Sequence, residues 1–245
     1  MALKFFNRLR RRLLEEGKLS KYFKYALGEI FLVMIGILLA LQVNNWNEAR
    51  KDRKQEQTIY RSLEDNLQDD LADVTDKLAI VEQALVAQKL FMSHPIDSLK
   101  EKYTVVEMQD FLYAFSESSR SFFPNTGLYN RITNNNQIDL IRSEELKDNI
   151  IELYEQYYKR YSDVDLNIEQ QAVFSANNNF FSLIQNYATD YGRYEVDYAL
   201  LREHYPVLQE ECRKMYTLTL LAHEVMNNCK TKIEALLEEL QQHVE

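Results

Sequence analysis

The sequence predicts an all-α protein with one membrane-crossing helix, on three observations. Five glycines and three prolines in 245 residues leave too few breakers for a sheet fold rich in tight turns. Apolar residues recur every three or four positions along most of the chain. One run, "ALGEIFLVMIGILLALQV" (26–43), carries only Glu29 and Gln42 as strongly polar residues. The expected architecture is a transmembrane helix continuing into a long stalk helix, then an antiparallel four-helix-bundle-like extramembrane domain. Its parts are a basic amphipathic segment (1–24), the span (25–46) and a helical extracytoplasmic domain (47–245).

The first segment, "LKFFNRLRRRLLEE", spaces Leu3, Phe6, Leu9, Leu13 and Leu14 helically among arginines. Such a helix lies in a headgroup boundary with its apolar side down. Residues 1–43 hold eight basic and three acidic side chains, so the net charge of −9 hides a basic head on a body of −14. An acidic body argues against nucleic acid as a partner, and a basic head suits an anionic lipid leaflet.

The span follows. Eighteen helical residues rise about 27 Å, close to the hydrocarbon thickness of a bilayer. Tyr22 and Tyr25 at one end and Trp46 at the other are expected as interfacial anchors. No small-residue cleavage site follows the apolar run, which favours an uncleaved signal anchor. Seven Lys/Arg in 8–24 against five in 44–62 place the amino terminus in the cytoplasm. The large domain is then expected on the far side of that membrane. Glu29 shares a helix face with Val33, Gly36 and Ala40, a seam whose small residues allow a second helix to approach. Its carboxylate is expected to pair at the interface, a titrating role in an ion-coupled complex being the alternative.

Beyond Trp46, nothing in the sequence stops the helix before Pro95, and Ile59, Leu63, Leu67, Leu71, Val74, Leu78, Val81 and Leu85 keep its period. A shorter helix fits 105–118, "RSFFPNTG" interrupts it, and a brief helix over 128–134 ends in the turn "TNNNQID". Ser143 before Glu144 and Glu145 is a helix start, and the period then runs to about Tyr187. Gly192 marks a break, and Pro206 is expected to open the last helix at the position where proline is tolerated. The stripe of that helix is Leu208, Cys212, Met215, Thr219, Ala222, Met226, Cys229, Ile233, Leu236 and Leu240.

The run "GEIFLVMIGILLALQVNNWNEARKDRK" and the later "IDLIRSEELKDNIIELYEQYY" resemble an uncharacterised family of small single-pass membrane proteins of the Bacteroidota. Where those proteins often have a turn glycine this chain has Asn135 and Asn136, which also tolerate positive φ. The resemblance implies an anchored helical protein and no activity.

Signatures of chemistry are missing. There is no phosphate-binding glycine loop, no His-Glu-x-x-His and no Cys-x-x-Cys, so no cofactor, metal or catalytic residue is expected. Cys212 and Cys229 lie about 25 Å apart along one helix, beyond disulfide reach, and read as small core residues. His223 reads as a helix-surface residue and "EDNLQDDLADVTD" as a solvated face. Tyr154, Tyr157, Tyr158 and Tyr161, with Tyr187, Tyr191, Tyr194 and Tyr198 beyond, read as aromatic packing or as a partner surface. The functional expectation is a non-enzymatic interaction or scaffold module, self-associating or bound to another membrane protein. The alternative is a ligand-sensing bundle acting through a cytoplasmic partner.

Overall fold

The computed structural model describes residues 19–177, 188–189, 193–194 and 198–244, with side chains over 23–24, 26–171 and 198–244. The basic amphipathic segment before Leu19, Tyr187, Tyr191 and the break at Gly192 lie outside the described residues, as do the side chains of Tyr22, Tyr25 and Tyr194. The described chain is helical apart from one pair of two-residue strands, β1 (Ala188–Thr189) and β2 (Arg193–Tyr194), which are antiparallel with Ala188 opposite Tyr194. It forms two compact units, Met1–Glu56 and Gln57–Glu245.

The first unit carries the apolar end of α1 (Leu19–Ser93). Its best eighteen-residue window has a mean hydropathy of 2.3, and none of that window is buried by the rest of the chain. Leu32, Leu39 and Val43 are more than 60% exposed, the reverse of what a soluble core helix does with such residues. By length and composition α1 is one helix able to cross a membrane.

In the second unit, α1 supplies the stripe read from the sequence. Ile59, Leu63, Leu67, Val74, Leu78 and Val81 are buried, with Leu71 and Leu85 packed beside them. α1 ends at Ser93, and Pro95 caps α2 (Ile96–Lys102). α3 (Val105–Ser116) opens on a reciprocal capping box between Thr104 and Glu107. After a connecting strap come α4 (Gly127–Asn134) and a 3₁₀ turn at Gln137–Leu140. Between them Asn136 takes φ 54°, the left-handed conformation expected of this asparagine turn. Ser143 caps α5 (Glu144–Glu152), accepting from the Leu146 amide at 3.2 Å. A π-helical turn, Leu153–Tyr158, joins α5 to α6 (Lys159–Asn177).

The last helix corrects one expectation. α7 runs Tyr198–Gln241, so Pro206 lies inside it and does not open it. An interior proline loses one backbone bond and costs about 3 kcal/mol. Packing on both sides outweighs that loss. Leu201, Tyr205 and Leu208 are buried around it. The Tyr205 hydroxyl donates to the carbonyls of His94 (2.6 Å) and Phe91 (3.1 Å), and Gln209 donates to Phe91 at 3.0 Å. These bonds also satisfy carbonyls left open at the end of α1.

Two clusters make the main core. One joins α1 to α4, α5, the π turn and the second half of α7; the other joins the end of α1 to α2, α3 and the start of α7. Near their meeting point one polar contact sets the register of α1 on α7. Fully buried Gln88 donates to Thr219 Oγ1 at 2.9 Å, and Thr219 donates onward to the Met215 carbonyl. Gln88 Oε1 has no partner among the described residues. Thr219→Val is therefore expected to orphan the amide donor too and to cost about 1–3 kcal/mol in a denaturant melt. The double change Gln88→Met with Thr219→Val should recover most of that loss, because no buried polar group is then left unpaired.

Candidate functional site

The densest chemistry surrounds the π turn. Its i→i+5 bonding opens one wide turn within the helix, a feature that recurs at functional sites. Of the four tyrosines clustered here in sequence, Tyr154, Tyr158 and Tyr161 are buried and Tyr157 is half-buried. Three of these four rings pack into the core, as the aromatic-packing reading expects, and Tyr157 is left partly open. Tyr129 stacks on Tyr154 with ring centroids 4.3 Å apart, Tyr154 meets Tyr158 edge-on at 5.1 Å, and Phe122 contacts both Tyr158 and Tyr161. A packed aromatic column of this kind stabilises beyond its buried area.

Facing it is Asp70 of α1, 3% exposed within a run that reads as a solvated face. That reading fails at this one position because residue 70 stands three after Leu67 and four before Val74, on the inner stripe. Asp70 accepts from the Tyr158 hydroxyl at 2.6 Å and from the Asn125 amide at 2.9 Å. Burial raises its pKa, with Asp73 and Asp69 adding to the rise and the two hydrogen bonds opposing it. Burial likewise pushes the Tyr158 and Tyr161 hydroxyls far above their ordinary range. The Tyr154 hydroxyl is buried without a hydrogen-bond partner among the described residues.

Asp70 belongs to a larger clamp on the strap between α3 and α4. Asn125 donates to Asp70, Phe123 N donates to Asp73 at 3.2 Å, Phe122 N donates to the Tyr161 hydroxyl at 2.7 Å, and Ser121 donates to Glu169 at 3.3 Å. Tyr161 passes its own proton to Asp165 at 3.0 Å. Every one of these strap groups is a donor and every holder is an acceptor on α1 or α6. The strap therefore ties the two helices together, three of its four bonds going to carboxylates.

On the outer side of the π turn a groove of about 350 Å³ runs against α7. Gln156, Arg160, Glu224 and Asn228 rim it, and Tyr157 and buried Val225 form its floor. Glu152 at one end is paired with Lys232, whose ammonium also donates to Asn149 at 2.8 Å and lies 5.9 Å from the Tyr157 ring centroid.

The remaining residues singled out in the sequence are dispersed. Glu29, Val33, Gly36 and Ala40 share one ridge of α1, and nothing described lies within 4 Å of a Cβ placed on Gly36. Trp46 is 65% exposed. His223 stands at the surface 3.2 Å from Glu82, and Tyr198 opens α7 with the Lys100 ammonium 5.1 Å from its ring centroid. Cys212 and Cys229 are buried free thiols; burial raises both, Cys229 to about 12, which makes them poor nucleophiles. Among the described residues no group of three or more His, Cys, Asp or Glu side chains is placed to hold a metal ion. The π turn and the strap clamp had no signal in the sequence, the clamp because it depends on contacts 39 to 55 residues apart.

The comparisons with known proteins give a family and no activity. No curated protein and no solved structure matches the chain. A family model described as a family of unknown function, DUF6090, matches residues 29–189, from within the apolar run to β1. The chain belongs to this family of unknown function, DUF6090.

Proposed function

We propose that the protein is a non-enzymatic, membrane-anchored scaffold that displays an acidic helical bundle on the periplasmic face of a bacterial inner membrane. The observation that supports this most is the division of labour along α1. From 26 to 43 its apolar side chains are left uncovered, whereas from Ile59 onward the same helix buries its stripe. A lipid phase is the solvent that suits the first part. Packing of the second part against α5, α6 and α7, antiparallel to α7, suits a four-helix-type bundle. The flanking basic residues favour a cytoplasmic amino terminus.

Self-association runs through the Glu29, Val33, Gly36 and Ala40 ridge, where Gly36 leaves room for a second backbone. Chemical cross-linking of the full chain in mild detergent tests this. Wild-type protein should give a discrete dimer or small oligomer, and Gly36→Ile should lose most of it. A wild-type monomer, or an oligomer indifferent to Gly36→Ile, would remove self-association at the seam. Glu29→Gln separates pairing from proton coupling, since only a titrating carboxylate would make the assembly pH-dependent through that residue. The groove beside the π turn favours the sensing reading as a second possibility, with output through a separate cytoplasmic protein.

A further inference from the structure

We propose that the groove between the π turn and α7 is a binding site for a free α-amino acid. This goes beyond the scaffold reading and does not depend on self-association. α5, the π turn and α6 run antiparallel to α7, as Glu152 beside Lys232 and the Cys229 thiol 3.6 Å from the Tyr157 carbonyl establish. Arg160 thus stands at the Glu224 end of the groove and Gln156 toward the Asn228 end.

Two facts set the ligand class. First, Arg160 and Glu224 face the same space with opposite charge, yet neither makes an ion pair or hydrogen bond among the described residues. Nearby Glu152 and Lys232 neutralise each other, so those two are the charges still open to a ligand. A guanidinium offers a fork that matches a carboxylate, and a carboxylate accepts from an ammonium. A small molecule bearing both groups on one carbon satisfies the two at once; an anion or a cation alone leaves one opposed. Second, about 350 Å³ lies at the small end of ligand sites, enough for an amino acid and too little for a nucleotide with its full shell of contacts. The amides of Gln156 and Asn228 and the Tyr157 ring over Val225 remain for the side chain of that ligand.

The test uses the full chain in mild detergent and the twenty free L-amino acids, titrated singly by calorimetry. At least one should bind saturably, and its des-amino acid and its decarboxylated amine should each bind at least about tenfold more weakly. Arg160→Gln and Glu224→Gln should each weaken binding by a similar factor while their ligand-free melting temperatures stay at the wild-type value. Lys159→Gln, on the exposed side of the same helix, should bind as wild type. Absence of saturable binding for all twenty, equal binding of the des-amino acid, or binding unchanged in both groove variants would overturn the assignment.

Discussion

Asp70→Ala is expected to unfold a large part of the stability of the bundle, by about 2–5 kcal/mol, whereas Asp70→Asn should change it by less than about 1 kcal/mol at neutral pH. The contrast follows from what each change leaves behind. Alanine removes the acceptor to which the buried Tyr158 hydroxyl and the part-buried Asn125 amide both donate. Each orphaned donor costs about 1–3 kcal/mol. Asparagine keeps an oxygen for Asn125, can donate to Tyr158, and removes a buried charge that stands near Asp69 and Asp73 without a cation. Chemical denaturation of the two variants beside wild type measures both effects.

The same residue sets a pH dependence with a definite sign. Burial raises the folded pKa of Asp70, and that of Asp165, above the unfolded value, so the folded chain binds protons that the unfolded chain has already lost. The stability they contribute is fully present below the ordinary carboxylate pKa and is lost as pH rises through the elevated folded value. Wild-type protein should therefore gain melting temperature from Asp70 as neutral buffer is made mildly acid, with Asp73, Asp69, Tyr158, Tyr154 and the Cys229 thiol as the surrounding groups. Asp70→Asn should flatten that part of the profile. A wild-type curve unchanged by the substitution would show that Asp70 does not titrate in this range.

Two arginines in the apolar run should have the second large effect, loss of membrane insertion. Between 26 and 43 stand eleven Leu, Ile, Phe and Val residues. On an insertion scale they favour the bilayer by about 3–7 kcal/mol in total. One arginine near the centre costs about 2.5–3.5 kcal/mol, which brings the balance close to even. Ile35→Arg with Leu38→Arg costs about twice that and also removes two favourable residues, so the soluble fraction should become the larger one. Either single change should leave a mixture. The substitutions touch no side chain of the Gln57–Glu245 unit's core clusters, so its helical signal should persist.

Much of the fold was legible because helices advertise themselves through periodicity. The stripe from Ile59 to Leu85 and that from Leu208 to Leu240 are both packed inward as their spacing requires. Local chemistry marked the Ser143 cap and the left-handed Asn136. Pro206 misled because intrinsic propensity is a weak prior: anchoring of Tyr205 and Gln209 on the end of α1 carries the helix through it. The candidate sites were less legible. Asp70 was hidden among solvated acids, although its place on the inner stripe was a usable signal. The tyrosines were noticed as a cluster, but only tertiary contacts place Tyr154, Tyr158 and Tyr161 inside and leave Tyr157 beside a groove. Arg160 and Glu224, 64 residues apart, meet there only because α6 and α7 are antiparallel neighbours.

The most direct test of the account is extraction of membranes from cells making the intact chain, washed first with alkaline carbonate and then with mild detergent. The protein should stay in the carbonate pellet and enter solution only with detergent. Release into the carbonate supernatant would contradict it, because residues 26–43 would then be covered by protein or lying on a surface and not crossing lipid.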